Sequence, residues 1–445
     1  MSMFPPDHAL RIPLAEEVHA RPPEPMQAPA RASYVAVLLD TEQRARELAH
    51  ITTLCQLHGV APPPAGATHF RTQLGPLRLK WERHGEFSGY TIIATGLGAQ
   101  PFADVAAALL PARWLAAIPG ATVAAVHTEL HLPRAHDEDP QTLAAVLATT
   151  FDDQTVVGSV IADGAGRVYT DFRLHDGCTR FLLIDHHLTE RQAGRTLQRL
   201  FEIEAYRLMA LLALPIARRQ SPRIVQIEAA LAALTDSIAQ ARSDQAGDAA
   251  NDNDETLLQE LTRLAAEVES GLAASQFRFG ACRAYYELVM RRVTELRETR
   301  LPGMQTLDEF MARRFTPAVA TCSTVSQRLH DLSERVAQAS SLLSTRVDIT
   351  RERQNQSLLG SMNRRAQMQL RLQQTVEGLS VAAISYYGVG LVGYAAKALK
   401  AAGLPVDADI AMGLSIPVVA LLVMAALRRA RRRLAARDDT PMSIP

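Results

Sequence analysis

The sequence predicts an α+β protein made of three parts: an N-terminal mixed α/β domain, long antiparallel or coiled helices, and a C-terminal two-helix transmembrane hairpin. Short apolar segments punctuated by turn residues fill positions 31–187, and long tracts with few prolines follow. Two apolar stretches without charge, Leu379–Ala396 and Ile410–Leu427, lie near the C-terminus. A chain of 445 residues is long enough for two or three domains with separate cores.

The two apolar stretches predict membrane spans at about 378–398 and 409–427. A helix needs about 20 apolar residues to cross a bilayer core of about 30 Å, and both stretches reach this length with their flanking residues. Pro417 would break a soluble helix, whereas membrane helices tolerate proline. The alternative is a buried helical pair of a soluble domain. We treat residues 376–433 as a hairpin with a basic tail.

Arginines flank this hairpin on its outer ends and predict its orientation. The connection Lys397–Asp409 carries two lysines against two aspartates. Basic residues mark the cytoplasmic side of a membrane, so we expect both termini in the cytoplasm and a multi-pass protein of the inner membrane. The arginines are Arg364, Arg365 and Arg371 before the first span and Arg428, Arg429, Arg431, Arg432 and Arg433 after the second.

Charge and cysteine content narrow the class of protein. The 47 basic and 47 acidic residues cancel, so no nucleic-acid partner is expected. The four cysteines are far apart and contain no CxxC pair, which argues against a zinc ribbon or a disulfide framework and favours a reducing compartment. The first 25 residues lack the apolar core of a secretory signal, so we expect the N-terminal part not to be exported.

Residues 1–30 are proline-rich and predict an extended arm, and residues 31–187 alternate between strand and helix patterns. Tight turns at Asp163-Gly164 and Asp176-Gly177 predict a largely antiparallel sheet. Strands are predicted at 33–40, 68–75, 76–85, 87–96 and 121–132 and as three strands within 154–185, with helices at Thr41–His58, Pro111–Ile118 and Thr142–Thr150.

Residues 188–375 predict a long-helix domain. Its helices are Leu188–Leu214, Arg223–Arg242, Thr256–Arg300 and the tract Thr306–Thr375, which leads directly into the first span; a polar linker lies near 243–255. Helices this long need packing partners along their length. We therefore expect antiparallel pairing within the chain, self-association into a homo-oligomer, or both.

Alternating polar residues on the predicted strand 121–132 form a candidate metal site. His127, Glu129 and His131 share one face because successive side chains of a strand point to opposite faces. Two imidazoles and a carboxylate could bind a divalent metal. The alternative is a polar face of an amphipathic strand, and the residues offer no fourth ligand.

Two further polar groups are binding candidates. Asp185 and His186 end a strand just before a helix, where they could bind metal, act in acid–base chemistry, or simply cap the corner. Glu17, His19 and Arg21 lie in the proline-rich arm, where they could dock onto the α/β domain, contact a partner or be solvated.

Within the first span, Gly388, Gly390 and Gly393 predict close helix–helix packing, or else a glycine-rich face toward lipid.

Several segments resemble a bacterial family known as domain of unknown function 3422, described as membrane-anchored. The resemblance covers about residues 8–433, and its most specific motif is Glu17-Val18-His19-Ala20-Arg21-Pro22. Asp176-Gly177 and the stretches Ile203–Pro215 and Phe279–Tyr286 also match. The resemblance implies membrane anchoring and brings no catalytic residues with it.

The layout is also similar to that of the CorA-type magnesium transporters, with a cytoplasmic α/β domain, a very long helix and two spans. The Gly-Met-Asn that such proteins carry at the outer end of the first span is missing here; Tyr387–Tyr394 reads YGVGLVGY. We therefore expect a non-enzymatic, membrane-anchored binding or scaffold module. The alternatives are a CorA-like oligomeric divalent-cation channel or transporter and a metal-dependent enzyme using His127, Glu129 and His131.

Overall fold

A computed structural model describes residues 5, 7–17, 22–134, 139–240, 248–402 and 407–438. The chain divides into two compact units, Met1–Leu342 and Leu343–Pro445. The first holds a mixed sheet with helices on both faces and a set of long helices, and the second holds helices alone. The predicted fold class is confirmed.

The strands are β1 (Ala30–Leu38), β2 (His69–Leu74), β3 (Leu77–Arg83), β4 (Phe87–Thr95), β5 (Ala121–His131), β6 (Val157–Ile161), β7 (Gly166–Thr170), β8 (Leu174–His175), β9 (Cys178–Asp185) and β10 (Thr299–Arg300). The helices are α1 (Arg11–Glu17), α2 (Thr41–Leu57), α3 (Pro140–Thr150), α4 (Glu190–Leu211), α5 (Leu214–Gln240), α6 (Asp248–Glu295), α7 (Leu307–Phe310), α8 (Thr316–Ala401) and α9 (Ala408–Asp438).

One sheet joins all ten strands in the order β10-β6-β7-β9-β5-β1-β4-β3-β2, with β8 added beside β9. Every pair of neighbouring strands is antiparallel except β5 with β9. Local turns explain this pattern: Gly75 between β2 and β3 has φ 58°, and Asp176 and Gly177 between β8 and β9 have φ 50° and 84°. The prediction of a largely antiparallel sheet is confirmed.

The sheet buries its apolar side chains against helices on both faces. On one face α2 covers a core that contains Trp81 and Ile92. Asp40 is the N-cap of this helix and forms a capping box with Gln43, so the helix begins at the predicted residue, Thr41. On the other face Tyr34 of β1 stacks on Phe201 of α4, with ring centroids 4.9 Å apart. The central strands are therefore covered on both sides.

The long helices differ from the prediction at their ends. The helix predicted at 223 begins at Leu214, with Pro215 in its first turn, where the missing N–H costs nothing. α6 begins at Asp248, so residues 248–255 of the predicted linker are helical, while 241–247 lie outside the described residues. Thr299–Arg300, predicted as the end of a helix, is a strand paired with Val160 and Ser159 of β6.

Antiparallel helix pairing holds the long helices of the first unit together. Tyr286 of α6 shares a hydrogen bond of 3.2 Å with Thr316 of α8. Ser333 of α8 donates to Glu269 of α6 at 2.7 Å. The residue number rises along one helix as it falls along the other, so the two helices are antiparallel.

Candidate functional site

His127 occupies a polar position at the centre of the sheet. His127 lies on β5, opposite Ser33 of β1 on one side and opposite Arg180 of β9 on the other. The Ala107 N–H donates to Ser33 Oγ at 3.0 Å, and Ser33 Oγ shares a hydrogen bond of 2.9 Å with His127 Nδ1. Burial and the nearby Arg180 charge lower the pKa of His127 to about 4. The imidazole is therefore neutral at pH 7.

Glu129 and His131 form a separate pair on the same face of β5. Glu129 is 2% exposed; its Oε1 accepts from the Phe102 N–H at 2.8 Å, and its Oε2 lies 2.8 Å from His131 Nε2. Among the described residues, no group of three or more His, Cys, Asp or Glu side chains is arranged to hold a metal ion. Metal binding by His127, Glu129 and His131 stays a prediction from their spacing.

A second histidine network, which the sequence does not predict, lies around β8 and the start of β9. His175 Nδ1 is 2.9 Å from Asp152 Oδ2, and its Nε2 is 2.8 Å from the buried Asp171 Oδ2. Arg180 donates to the Thr150 carbonyl at 3.0 Å and lies 3.8 Å from Asp152. These contacts join residues that lie up to 30 positions apart, at the end of α3, on β8 and on β9, so no local motif indicates them.

Asp185 and His186 form the corner between β9 and α4. Asp185 Oδ1 accepts from the Leu188 N–H at 2.7 Å. The backbone N–H groups of His186 and His187 both donate to the Ala165 carbonyl, at 3.0 and 2.9 Å. The Asp185 carboxylate thus closes the turn at this corner, while the Thr189 side chain caps α4. A ligand-binding role for Asp185 and His186 stays a prediction.

The proline-rich arm is partly described. It contains the helix α1, where an extended chain is predicted. Glu17 ends that helix and its side chain is outside the described part of the chain, as are His19 and Arg21 altogether. Their binding role stays a prediction.

The residues that follow the arm motif dock onto the α/β unit. The Met26 N–H donates to the Glu190 carbonyl at 3.0 Å, and Arg78 donates to the Pro25 carbonyl at 2.6 Å. A Cβ atom at Gly194 of α4 would overlap the carbonyl oxygen of Glu24, so only glycine permits this approach. Residues 22–26 are therefore held against α4 and β3.

A buried ion pair lies beside this docked segment. Lys80 and Glu82 of β3 are 2.9 Å apart, with side chains 8% and 10% exposed. Lys80 also donates to Gln198 of α4 at 3.4 Å. Burial raises the pKa of Tyr206, which lines the same small cavity. The two charges alternate on the predicted strand 76–85, which is the sequence signal that could have revealed them.

Many large apolar side chains of the second unit are exposed, although Leu343 and Val347 are buried. Two helices, Leu307–Ala401 and Asp409–Arg429, are long and apolar enough to cross a membrane by length and composition. In the most apolar windows of these helices, 11% and 0% of the residues are buried. Large side chains that are at least half exposed include Leu379, Ile384, Leu391, Tyr394, Ile410, Leu414 and Leu421.

The three glycines of the first predicted span have different surroundings. A Cβ atom at Gly388 would lie 2.8 Å from Val419 Cγ1, and one at Gly393 would lie 2.7 Å from Met412 Sδ. A Cβ at Gly390 would have nothing within 4 Å. Gly388 and Gly393 therefore face α9, whereas Gly390 does not. A functional role for this packing stays a prediction.

Comparison with known families adds one finding to this geometry. The family described as "Protein of unknown function (DUF3422)" matches residues 6–434. This chain belongs to the DUF3422 family. No curated protein and no solved structure matches the chain. The similarity of the DUF3422 layout to the CorA-type transporters gains no support from these comparisons.

Proposed function

We propose that this DUF3422 protein is an integral membrane protein of the cytoplasmic membrane, anchored by the hairpin 376–433, and that its N-terminal unit serves as a binding or scaffold module. The observation that carries the proposal is the exposed apolar surface of the hairpin. Leu379 is 74% exposed and Leu414 is 69% exposed. Soluble monomers rarely leave a continuous apolar surface of this kind uncovered.

The energetics favour a bilayer as the cover. Burying one large apolar side chain is worth about 1.5–3 kcal/mol relative to water, and such side chains follow one another along both helices. The pair α8–α9 is itself in contact only along one side of each helix, at positions such as Gly388 and Gly393. The outward sides carry no charged residue within Leu379–Ala396 or Ile410–Leu427.

The proposed topology places both termini in the cytoplasm. Arginines precede the first span and follow the second, while two lysines balance two aspartates in the connection Lys397–Asp409. The positive-inside rule puts the arginine-rich ends on the cytoplasmic side. The α/β unit would then face the cytoplasm.

We also propose that the chain self-associates through the part of α8 that precedes the first span. Residues 351–360 and 362–376 are all exposed on this helix. Leu358 and Met362 are four residues apart and lie on one face, as do Leu372 and Val376. An isolated helix of this length needs a partner. A second copy of the chain would supply one.

Binding is favoured over catalysis for the α/β unit because its most buried carboxylates are fully engaged. Glu47 accepts from Trp81, Tyr90 and Arg83, at 2.9, 2.7 and 3.1 Å. Glu204 accepts a hydrogen bond from Thr179 at 2.7 Å and forms a bidentate ion pair with Arg207. Carboxylates held by charge-assisted hydrogen bonds in this way stabilise a fold.

The test is membrane fractionation of the full chain after an alkaline carbonate wash. Wild-type protein should stay in the membrane pellet. The double variant Leu391→Arg, Leu421→Arg places a charge in each span, at a cost of about 2.5–3.5 kcal/mol each. We expect most of it to leave the pellet or to be degraded.

The matched control is Leu358→Arg, which adds the same charge to an equally exposed leucine of α8 outside the predicted span. This control should stay in the pellet. The proposal fails if wild-type protein is released by carbonate, or if the double variant partitions as the wild type does.

A further inference from the structure

Two of the four cysteines meet where α6 and α8 pack against each other. The pairs Tyr286–Thr316 and Glu269–Ser333 define the antiparallel register of these helices. Both pairs fit the same antiparallel register, in which residue 282 lies opposite residue 320. Cys322 is two positions away from that point. The register thus places Cys282 and Cys322 side by side.

The thiols contact each other directly. Cys282 and Cys322 share a side-chain hydrogen bond, which raises the pKa of Cys282 and lowers the pKa of Cys322. Each residue is only 2% exposed. Because the thiolate is the reactive form of cysteine, Cys322 is the more reactive member of the pair.

A cavity gives small molecules a route to the pair. Its volume is about 450 Å³, and both cysteines line it together with Arg283, Tyr286 and Ser323. The cavity follows the stretch Phe279–Tyr286 of α6. Hydrogen peroxide, with two heavy atoms, fits easily into such a space.

We propose that Cys282 and Cys322 form a redox modification site at which hydrogen peroxide creates a disulfide between α6 and α8. The Cys322 thiolate attacks one peroxide oxygen, the O–O bond breaks, and the released hydroxide takes up a proton as water. The Cys322 sulfenic acid is then attacked by Cys282 sulfur, which loses its proton as the S–O bond breaks and a second water leaves. Two thiols are oxidised and one peroxide is reduced to two waters.

The experiment is peroxide treatment of the full chain, followed by alkylation, tryptic digestion and mass spectrometry. Trypsin releases Cys282 in residues 279–283 and Cys322 in residues 315–328. We expect these two peptides to appear joined, two hydrogens lighter than their sum, and to separate on reduction. Cys178 is more exposed than either and stands without a nearby thiol, so it is the internal control.

Two variants assign the roles. In Cys282→Ser, Cys322 should progress to sulfinic and sulfonic acid because the resolving thiol is gone. In Cys322→Ser, Cys282 should stay reduced at the same peroxide concentration. The proposal is overturned if wild-type protein gives no joined peptide at peroxide concentrations that oxidise Cys178, or if Cys282 is oxidised equally well in the Cys322→Ser variant.

Discussion

The two units of this chain differ in how far their large side chains are exposed. In the first, Trp81 and Tyr90 are fully buried, and the carboxylate that contacts both, Glu47, is buried with them. In the second, Leu391 and Leu421 are 70% and 65% exposed. The first unit buries a large apolar core, and the polar groups around Glu47 are satisfied inside that core. The second leaves an apolar surface that water does not favour.

Because of this difference, folding stability and membrane association are expected to depend on different units. The internal network of the first unit predicts large losses of folding free energy when one of its members is removed, with no effect on membrane association. The apolar surface of the second unit predicts loss of membrane association on adding a charge, with little effect on the α/β core. Variants in each unit can therefore test one property without disturbing the other.

The largest expected effect on stability comes from Glu47→Ala. The change leaves Trp81, Tyr90 and Arg83 without their shared acceptor in the core, and removing one partner of a buried charged pair costs about 3–5 kcal/mol. Both tryptophans of the chain, Trp81 and Trp114, lie in this core, so denaturant unfolding followed by tryptophan fluorescence reports on it. Glu42→Ala, on the exposed face of α2, is the control and should change the midpoint little.

The next effect is a pH dependence from His127. Its pKa falls from 6.5 to about 4 on folding, so the unfolded chain binds more protons than the folded chain within that window. The free energy of unfolding should rise by ~3 kcal/mol between pH 4 and pH 6.5 because of His127. Above pH 6.5 this contribution of His127 is complete and no longer changes with pH. His127→Gln should flatten the rise, while substitution of the exposed His69 should leave it. An equal rise in both variants would contradict this assignment.

A smaller loss is expected from Gly194→Ala, which tests the docking of residues 22–26. The added methyl would overlap the Glu24 carbonyl and must displace the segment, at a cost of about 1–3 kcal/mol. Limited proteolysis should then cut the chain before Ala30 more rapidly. Gly280→Ala is the matched helix control, since its methyl meets nothing within 4 Å and adds helix propensity.

Contact between α8 and α9 should be visible by cross-linking, with no large change in stability. Cysteines at Gly393 and Met412 should form an intramolecular disulfide readily, because a Cβ at 393 meets the Met412 side chain. Cysteines at Gly390 and Met412 should not form a disulfide, since a Cβ atom at position 390 has no neighbouring atom within 4 Å. Non-reducing electrophoresis measures both, and equal yields would refute the packing.

The sequence predicts those parts of the fold that depend on neighbours along the chain. Alternating apolar residues place β5, and the turn at Asp176-Gly177 joins β8 to β9 with positive φ at both residues. The uncharged stretch Leu379–Ala396 identifies the apolar part of α8. Periodicity and turn chemistry are local, so these elements are readable without a structure.

The missed features depend on contacts between distant residues. β10 has two residues and exists because β6 lies beside it; Glu298 next to it also accepts from Ser159 and from the first N–H groups of α7. His175 meets Asp152 across 23 positions, and Ser33 meets His127 across 94. For the predicted site residues, the shared face of His127 and Glu129 was readable, while the partners that engage each were not.

Spin labels placed along α8 and α9 would decide whether lipid covers the exposed apolar surface. In a cysteine-free background, single cysteines at Leu391, Leu421 and the exposed Glu42 of α2 would carry the label in reconstituted vesicles, with tryptophan fluorescence checking the α/β core. Labels at 391 and 421 should collide with oxygen far more than with a water-soluble nickel complex, and the label at 42 should show the reverse. Nickel access at 391 and 421 equal to that at 42, or shielding of both from oxygen and nickel alike, would contradict membrane anchoring.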